Sequence, residues 1–143
     1  MGTKQFLTGL ITIIFTLFYI NITQAQDYSK YSEEALKKIL DDIATVEHKV
    51  LVPMRDGVGL STDIYRPKDA KENVPTIFVR TPYNMNTLGG SSLRNAVEAV
   101  SRGYAYILQN ERGRYFSEGK FEILGYPRTD GYDALDWISS QPW

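Results

Sequence analysis

Residues 75–108, PTIFVRTPYNMNTLGGSSLRNAVEAVSRGYAYIL, decide the fold. PTIFVR (Pro75–Arg80) is a short continuous apolar run, as expected of a strand covered on both faces. Pro75 stands at the strand start, where its missing N–H does least harm. The loop TPYNMNTLGG follows. Leu93, Ala96, Val97 and Val100 then recur at helical spacing, with Ser91 or Ser92 available as N-cap and Gly103 suited to the C′ position. YAYIL (Tyr104–Leu108) is a second buried strand. Strand, helix, strand is a βαβ unit, whose crossover is expected to be right-handed.

Upstream, VEHKVLVPM (Val46–Met54) alternates, which places Val46, His48, Val50 and Val52 on one face. RDG (Arg55–Gly57) is a turn signal. VGLSTDIYRP (Val58–Pro67) alternates again, with Val58, Leu60, Thr62 and Ile64 on one side. The two segments read as an antiparallel hairpin. Before them, Ser32 can cap a helix that has Glu33 and Glu34 in its first turn and Leu36, Ile39, Leu40 and Ile43 on its apolar face. Downstream, NERGRYFSEGKFEILGYPR (Asn110–Arg128) is a long loop. Thr129 or Asp130 can cap a final helix with Ala134, Leu135, Trp137 and Ile138 on its apolar face. The order is helix, hairpin, strand, helix, strand, loop, helix. It predicts an α/β fold in which an antiparallel hairpin leads into a mostly parallel, mixed sheet. A helix in this architecture crosses back to a further parallel strand, and none follows Trp143. The chain therefore reads as the incomplete N-terminal part of a larger fold.

A chain of 143 residues carries a prior of one domain. The net charge of −1 gives no basic stripe, so a nucleic-acid partner is not expected. Without cysteine there are no disulfides or thiolate metal sites, and the single histidine, His48, restricts any triad or zinc reading. At the N-terminus, Lys4 precedes the uncharged run Phe6–Ile20, and Thr23 and Ala25 stand before a possible cut at Gln26. That is the layout of a secretory signal peptide. The rival, an uncleaved anchor, is disfavoured because a spanning helix needs ~20 apolar residues. The division expected is residues 1–25 as signal peptide, 26–45 as an N-terminal helical segment and 46–143 as the α/β part. The destination is the periplasm or the extracellular space.

Ligands of open α/β sheets bind beyond the carboxyl ends of the strands. RTPYN follows the first buried strand, and QNERGRYFSEG the second. In the first, Tyr83 is either an ordinary tyrosine that packs its ring and wets its tip, or a phenol donor aimed at a developing oxyanion. In the second, Arg112, Arg114, Glu111 and Glu118 read as charge pairs that pin the loop. A substrate-carboxylate clamp by Arg114 is the less favoured alternative. GRYFSEG is not a phosphate loop, because no GK[ST] ends it. His48 sits mid-strand, away from the strand ends, and reads as a hairpin-face residue. Ser117 has no GxSxG around it and no strand-to-helix elbow. No carboxylate pair stands in an acid/base arrangement.

Four segments occur together: VPMRDGVGLSTDIYRP, RTPYN, RGYAYILQNERGRYFSEGKF and DGYDALDWISSQPW. In this order and spacing they resemble the X-Pro dipeptidyl-peptidase-like hydrolases, which include cocaine-esterase-type enzymes and α-amino acid ester hydrolases. The resemblance covers roughly Val46 to Trp143. It implies a serine hydrolase of the α/β-hydrolase fold. A helical cap and a jelly-roll domain are expected after the catalytic core, with no metal or organic cofactor. The nucleophile belongs in a GxSYxG elbow on the strand after the helix ending in QPW, with Asp and His later in the chain. The Tyr of TPY contributes its hydroxyl to the oxyanion hole in this family, which assigns that role to Tyr83. Where the family often has Asp after the Gln of the second strand, Asn110 follows Gln109. Glu111 is then the substitute carboxylate for the nearby arginines. The expected partner is a small acyl ester, amide or peptide, and oligomeric state stays open. The chain alone is expected to show no turnover, and its TIFVR strand to be an unpaired apolar edge that lowers solubility. The alternative is a truncated, non-catalytic binding module or a decayed gene product.

Overall fold

The computed structural model describes residues 26–71, 73–85, 87–123 and 127–143. The signal-peptide reading falls on residues 1–25 and lies outside the described residues. After a 3-10 turn at Tyr28–Lys30 come helix α1 (Glu33–Ile43), strands β1 (Ala44–Pro53), β2 (Gly59–Pro67) and β3 (Thr76–Thr81), helix α2 (Gly90–Ser101), strand β4 (Ala105–Asn110) and helix α3 (Pro127–Ser139).

The four strands form one mixed sheet in the order β1-β2-β4-β3. β1/β2 and β2/β4 are antiparallel, and β3/β4 is parallel. The predicted hairpin and βαβ unit are both present. Side chains on the two sheet faces build two separate cores. On one face, α1 and α2 pack Leu36, Leu40, Leu93, Val97 and Val100 against Tyr65, Tyr106 and Leu108. On the other, Val52, Met54, Leu60 and Ala134 are buried, flanked by Phe78 and Trp137. Ala134 and Trp137 come from α3, so the fold has three layers.

Ser32 caps α1 as expected, its Oγ accepting from the Ala35 N–H at 3.2 Å. Leu36 and Leu40 are buried, and Ile39 and Ile43 pack against the same core. α2 departs from expectation at its start. Its N-cap is Gly89 and it makes no side-chain cap bond, so Ser91 and Ser92 already lie inside the first turn. A carboxylate from α1 stands there instead. Hydrogen bonds from Lys37, and to a lesser degree from the Gly90 amide, hold the pKa of Glu33 below its ordinary value. At the other end Gly103 adopts φ +83°. Gly103 N–H donates to Val100 O (3.0 Å) and Tyr104 N–H to Ala99 O (3.0 Å), the paired bonds of a Schellman end.

The alternation of β1 needs correction. Glu47 pairs with Ile64 but Val50 pairs with Thr62, so three steps on β1 face two on β2. This one-residue bulge turns the strand over. Val46 packs on the α1/α2 side, whereas Val50 and Val52 pack on the α3 side. Lys49 adopts φ +56° there. Buried Asp63 of β2 holds it, accepting from the Lys49 N–H at 2.9 Å and from Nζ at 3.1 and 3.0 Å. α3 departs as well. It begins at Pro127, which suits a first helical position, so neither Thr129 nor Asp130 is its cap. Leu135, expected on the apolar face, is exposed.

Candidate functional site

Thr81 and Asn110, the last residues of β3 and β4, pair side by side at the carboxyl edge of the parallel pair. The two loops that leave from here are bonded to each other. Thr81 O accepts from the Glu111 N–H (3.1 Å) and from Asn110 Nδ2 (3.2 Å). Pro82 O accepts from Arg114 Nε at 2.9 Å. Tyr83 O accepts from Asn110 Nδ2 at 2.8 Å, and the Tyr83 N–H donates to Thr81 Oγ1 at 3.1 Å. Three consecutive carbonyls are thus held by donors from the end of β4 and the loop after it. The Tyr83 side chain takes no part in this and is 77% exposed. The backbone that carries this exposed phenol is fixed through both its N–H and its C=O.

The β4 loop is rigid for local reasons. Gly113 sits at φ +66°, and a Cβ there would come within 2.2 Å of Phe121 N, so no other residue fits. Its N–H donates to Glu118 O at 2.8 Å. Tyr115 also has positive φ, at +53°. The Arg114 guanidinium lies 5.3 Å from the Tyr115 ring centre and 4.8 Å from that of Phe121. Glu118 binds back to β2: its carboxylate accepts from the Gly59 N–H at 2.8 Å, and its own N–H donates to Gly59 O at 2.9 Å.

The loop arginines do not pair as the sequence suggested. Arg112 binds Asp130 through Nε (3.1 Å) and Nη2 (2.7 Å), and Asp56 through Nη1 (2.9 Å). Its pKa is raised above the ordinary arginine value, first by the Asp130 hydrogen bond. The same guanidinium lowers the pKa of Asp56. Arg80 approaches the same Asp130 at 3.7 Å. Asp130 and Asp56, rather than Glu111, supply the carboxylates. Arg114 serves a backbone carbonyl and two aromatic rings.

Ser117 is buried. It donates from Oγ to Asn110 O (2.9 Å) and accepts from the Ser61 N–H (2.8 Å), which makes it a brace between loop and sheet. His48 lies in the β1 bulge, 60% exposed, with Nδ1 3.3 Å from Asp63 Oδ2. The structure therefore brings together Tyr83, Asn110 and Arg114, and leaves His48 two strands away from β4. The sequence marks Asp130 only as a cap candidate, and Asn110 as the position where the resembled family often has Asp; the structure buries both, Asn110 beside Gln109 at the end of β4.

Among solved structures, the chain is similar to an aminopeptidase from the marine-sediment archaeon Thaumarchaeota archaeon, with 30% identity and a TM-score of 0.57. That likeness covers 85% of this chain and 23% of the aminopeptidase. It is also similar to an α-amino acid ester hydrolase, with 28% identity and a TM-score of 0.55, over 81% of this chain and 22% of that one. The fold these structures share with it, sheet between helices and loops gathered at the carboxyl edge, is that of the α/β hydrolases. The sequence model of the X-Pro dipeptidyl-peptidase (S15) family matches residues 56–143. The chain belongs to that family. Among curated relatives, cocaine esterase of Rhodococcus sp. (strain MB1 Bresler) is 41% identical over 107 residues, which are 73% of this chain. The chain spans 18% of the length of that esterase.

Proposed function

We propose that this chain contributes the oxyanion-stabilising part of an exported serine hydrolase that cleaves a small acyl ester, amide or peptide. The observation that carries the reading is Tyr83, whose phenol is exposed on a backbone held at three consecutive carbonyls beside the parallel strand ends. In the reaction, a serine oxygen adds to the substrate carbonyl and the Tyr83 O–H donates to the oxygen that becomes negative. Collapse to an acyl-enzyme breaks the bond to the leaving alcohol or amine, which takes up the proton the serine gave up, and attack by water then releases the acid and restores the serine. The family supports a serine hydrolase of esterase or peptidase character, and the similar proteins include an esterase, an ester hydrolase and an aminopeptidase. An X-Pro dipeptidyl-peptidase or α-amino acid ester hydrolase specificity is the finer reading. Export rests on the layout of residues 1–25.

The attacking serine, its histidine and its aspartate are assigned to residues outside these 143. Ser117 has its hydroxyl engaged on both sides, and His48 of β1 faces Asp63 of β2. The chain by itself should leave a fluorophosphonate probe unreacted. The deciding experiment is Tyr83→Phe in the intact hydrolase with an ester substrate. Loss of one oxyanion donor should lower kcat by about 10²–10³-fold with little change in KM. An unaltered kcat refutes the role.

A further inference from the structure

We propose that Arg114 is a substrate-recognition residue: the Nη edge of its guanidinium binds a carboxylate carried by the substrate whose reacting carbonyl Tyr83 serves. This rests on the oxyanion role proposed above for Tyr83. Arg55, Arg66, Arg80, Arg102 and Arg112 each stand within ion-pair distance of a carboxylate. Arg114 does not. Among the described residues its one side-chain hydrogen bond runs from Nε to Pro82 O, at 2.9 Å. The two glutamates of its own loop are not its ion partners. The Glu118 carboxylate accepts from the Gly59 N–H at 2.8 Å, and Glu111 meets Arg114 through the backbone, the Arg114 N–H donating to Glu111 O at 3.0 Å. The next carbonyl along the turn, that of Tyr83, is held by the neutral side chain of Asn110. The turn therefore carries a positive charge with no carboxylate of the described residues paired to it.

The cation is held in place. Pro82 O fixes its Nε, and the ring centres of Tyr115 and Phe121 lie 5.3 and 4.8 Å from its central carbon. Tyr115 keeps its position at φ +53°, a left-handed conformation that is strained for a bulky residue. That backbone sets an exposed aromatic ring against the guanidinium. Arginine has five N–H donors in one plane. The rings engage the guanidinium and Pro82 takes the Nε–H, which leaves the fork of the two Nη groups. The spacing of that fork fits both oxygens of one carboxylate. Partial burial against rings raises the strength of such a contact over its value in open water. Pro82 O also belongs to the peptide unit whose N–H is that of Tyr83. The fork thus stands one peptide unit from the oxyanion donor, within reach of the same substrate molecule.

The test uses the intact hydrolase with two matched pairs of esters. In one pair the carboxylate lies on the acyl part: mono-4-nitrophenyl glutarate against methyl 4-nitrophenyl glutarate. In the other it lies on the leaving group: 3-carboxyphenyl butyrate against its methyl ester. At least one free acid should exceed its neutral partner in kcat/KM by about 10–100-fold, the range for a hydrogen bond to a charged group, and chiefly through KM. The pair that shows it tells which part of the substrate carries the acid. Arg114→Met keeps an apolar stem against the rings and removes the charge. It should reduce that preference to about threefold or less, whatever the loss of the Pro82 bond does to both esters alike. A purely structural Arg114 lowers acid and neutral ester together and leaves their ratio as in the parent. That result overturns the proposal, and so does a parent enzyme with no preference in either pair. Should Arg114→Met lack a cooperative thermal transition, Arg114→Gln, also uncharged, is judged by the same ratio. Failure of the underlying reading looks different: Tyr83→Phe then keeps the parent kcat on the neutral esters, whatever the ratio does in Arg114→Met.

Discussion

At the scale of the residue, Asp130 shows how far a side chain's role can lie from its neighbours in sequence. A carboxylate near a helix start invites a capping assignment. Asp130 instead is buried against Arg112, whose side chain is 11% exposed, and also approaches Arg80. Removing Asp130 takes away the buried carboxylate and leaves Arg112 paired with the half-exposed Asp56. Asp130→Ala should therefore lower the unfolding free energy by about 1.5–3 kcal/mol, the usual range for a hydrogen bond to a charged group, read from urea denaturation. Asp133 is a different case. Its pKa is held below the ordinary 3.8, chiefly by the Arg55 hydrogen bond, and Asp56 is held low by Arg112. A carboxylate with a depressed folded pKa adds stability that is fully present above 3.8 and lost as pH falls through the lower folded value. Urea midpoints should drop through that acid range, and Asp133→Asn should flatten the drop. Neither the arginine that Asp130 binds, 18 residues away, nor the carbonyls that Asn110 binds, 29 and 27 residues away, could be read from the sequence. Ser32 could, because its partner is three residues on.

At the scale of the element, the parts of the fold read correctly were those with local signals. The change from alternation to a continuous apolar run gave the βαβ unit, and Gly103 marked the end of α2. The bulge in β1 was not legible. Val46, His48, Val50 and Val52 alternate without a break, and nothing nearby marks the surplus residue. The information sits on β2, where Asp63 binds the Lys49 N–H and ammonium and stabilises a left-handed lysine. Asp63→Ala should cost about 3 kcal/mol or more, because it strands a largely covered ammonium and a backbone donor together. Thermal unfolding monitored by circular dichroism would show it. A change below about 0.5 kcal/mol, the usual range for a surface substitution, would mean that the bulge does not depend on Asp63.

At the scale of the whole molecule, β3 pairs only with β4 among the described residues, and Ile77 on it is 42% exposed. An apolar edge of this kind favours pairing with another chain. Ile77→Lys should reduce concentration-dependent association of the 143-residue chain, followed by size exclusion with light scattering; equal association by both forms would exclude the edge as the contact. The two cores are also unequal. The α1/α2 side is broad, whereas the α3 side buries Val52, Met54, Leu60 and Ala134. Much of what fastens α3 is charge, through Asp130 with Arg112 and through Asp133 with Arg55. Because the bulge assigns the later half of β1 to that thinner side, one strand is divided between a firm layer and one fastened by charge. In Asp130→Ala, amide deuterium uptake should therefore accelerate over residues 50–52 while residues 44–47 keep their protection.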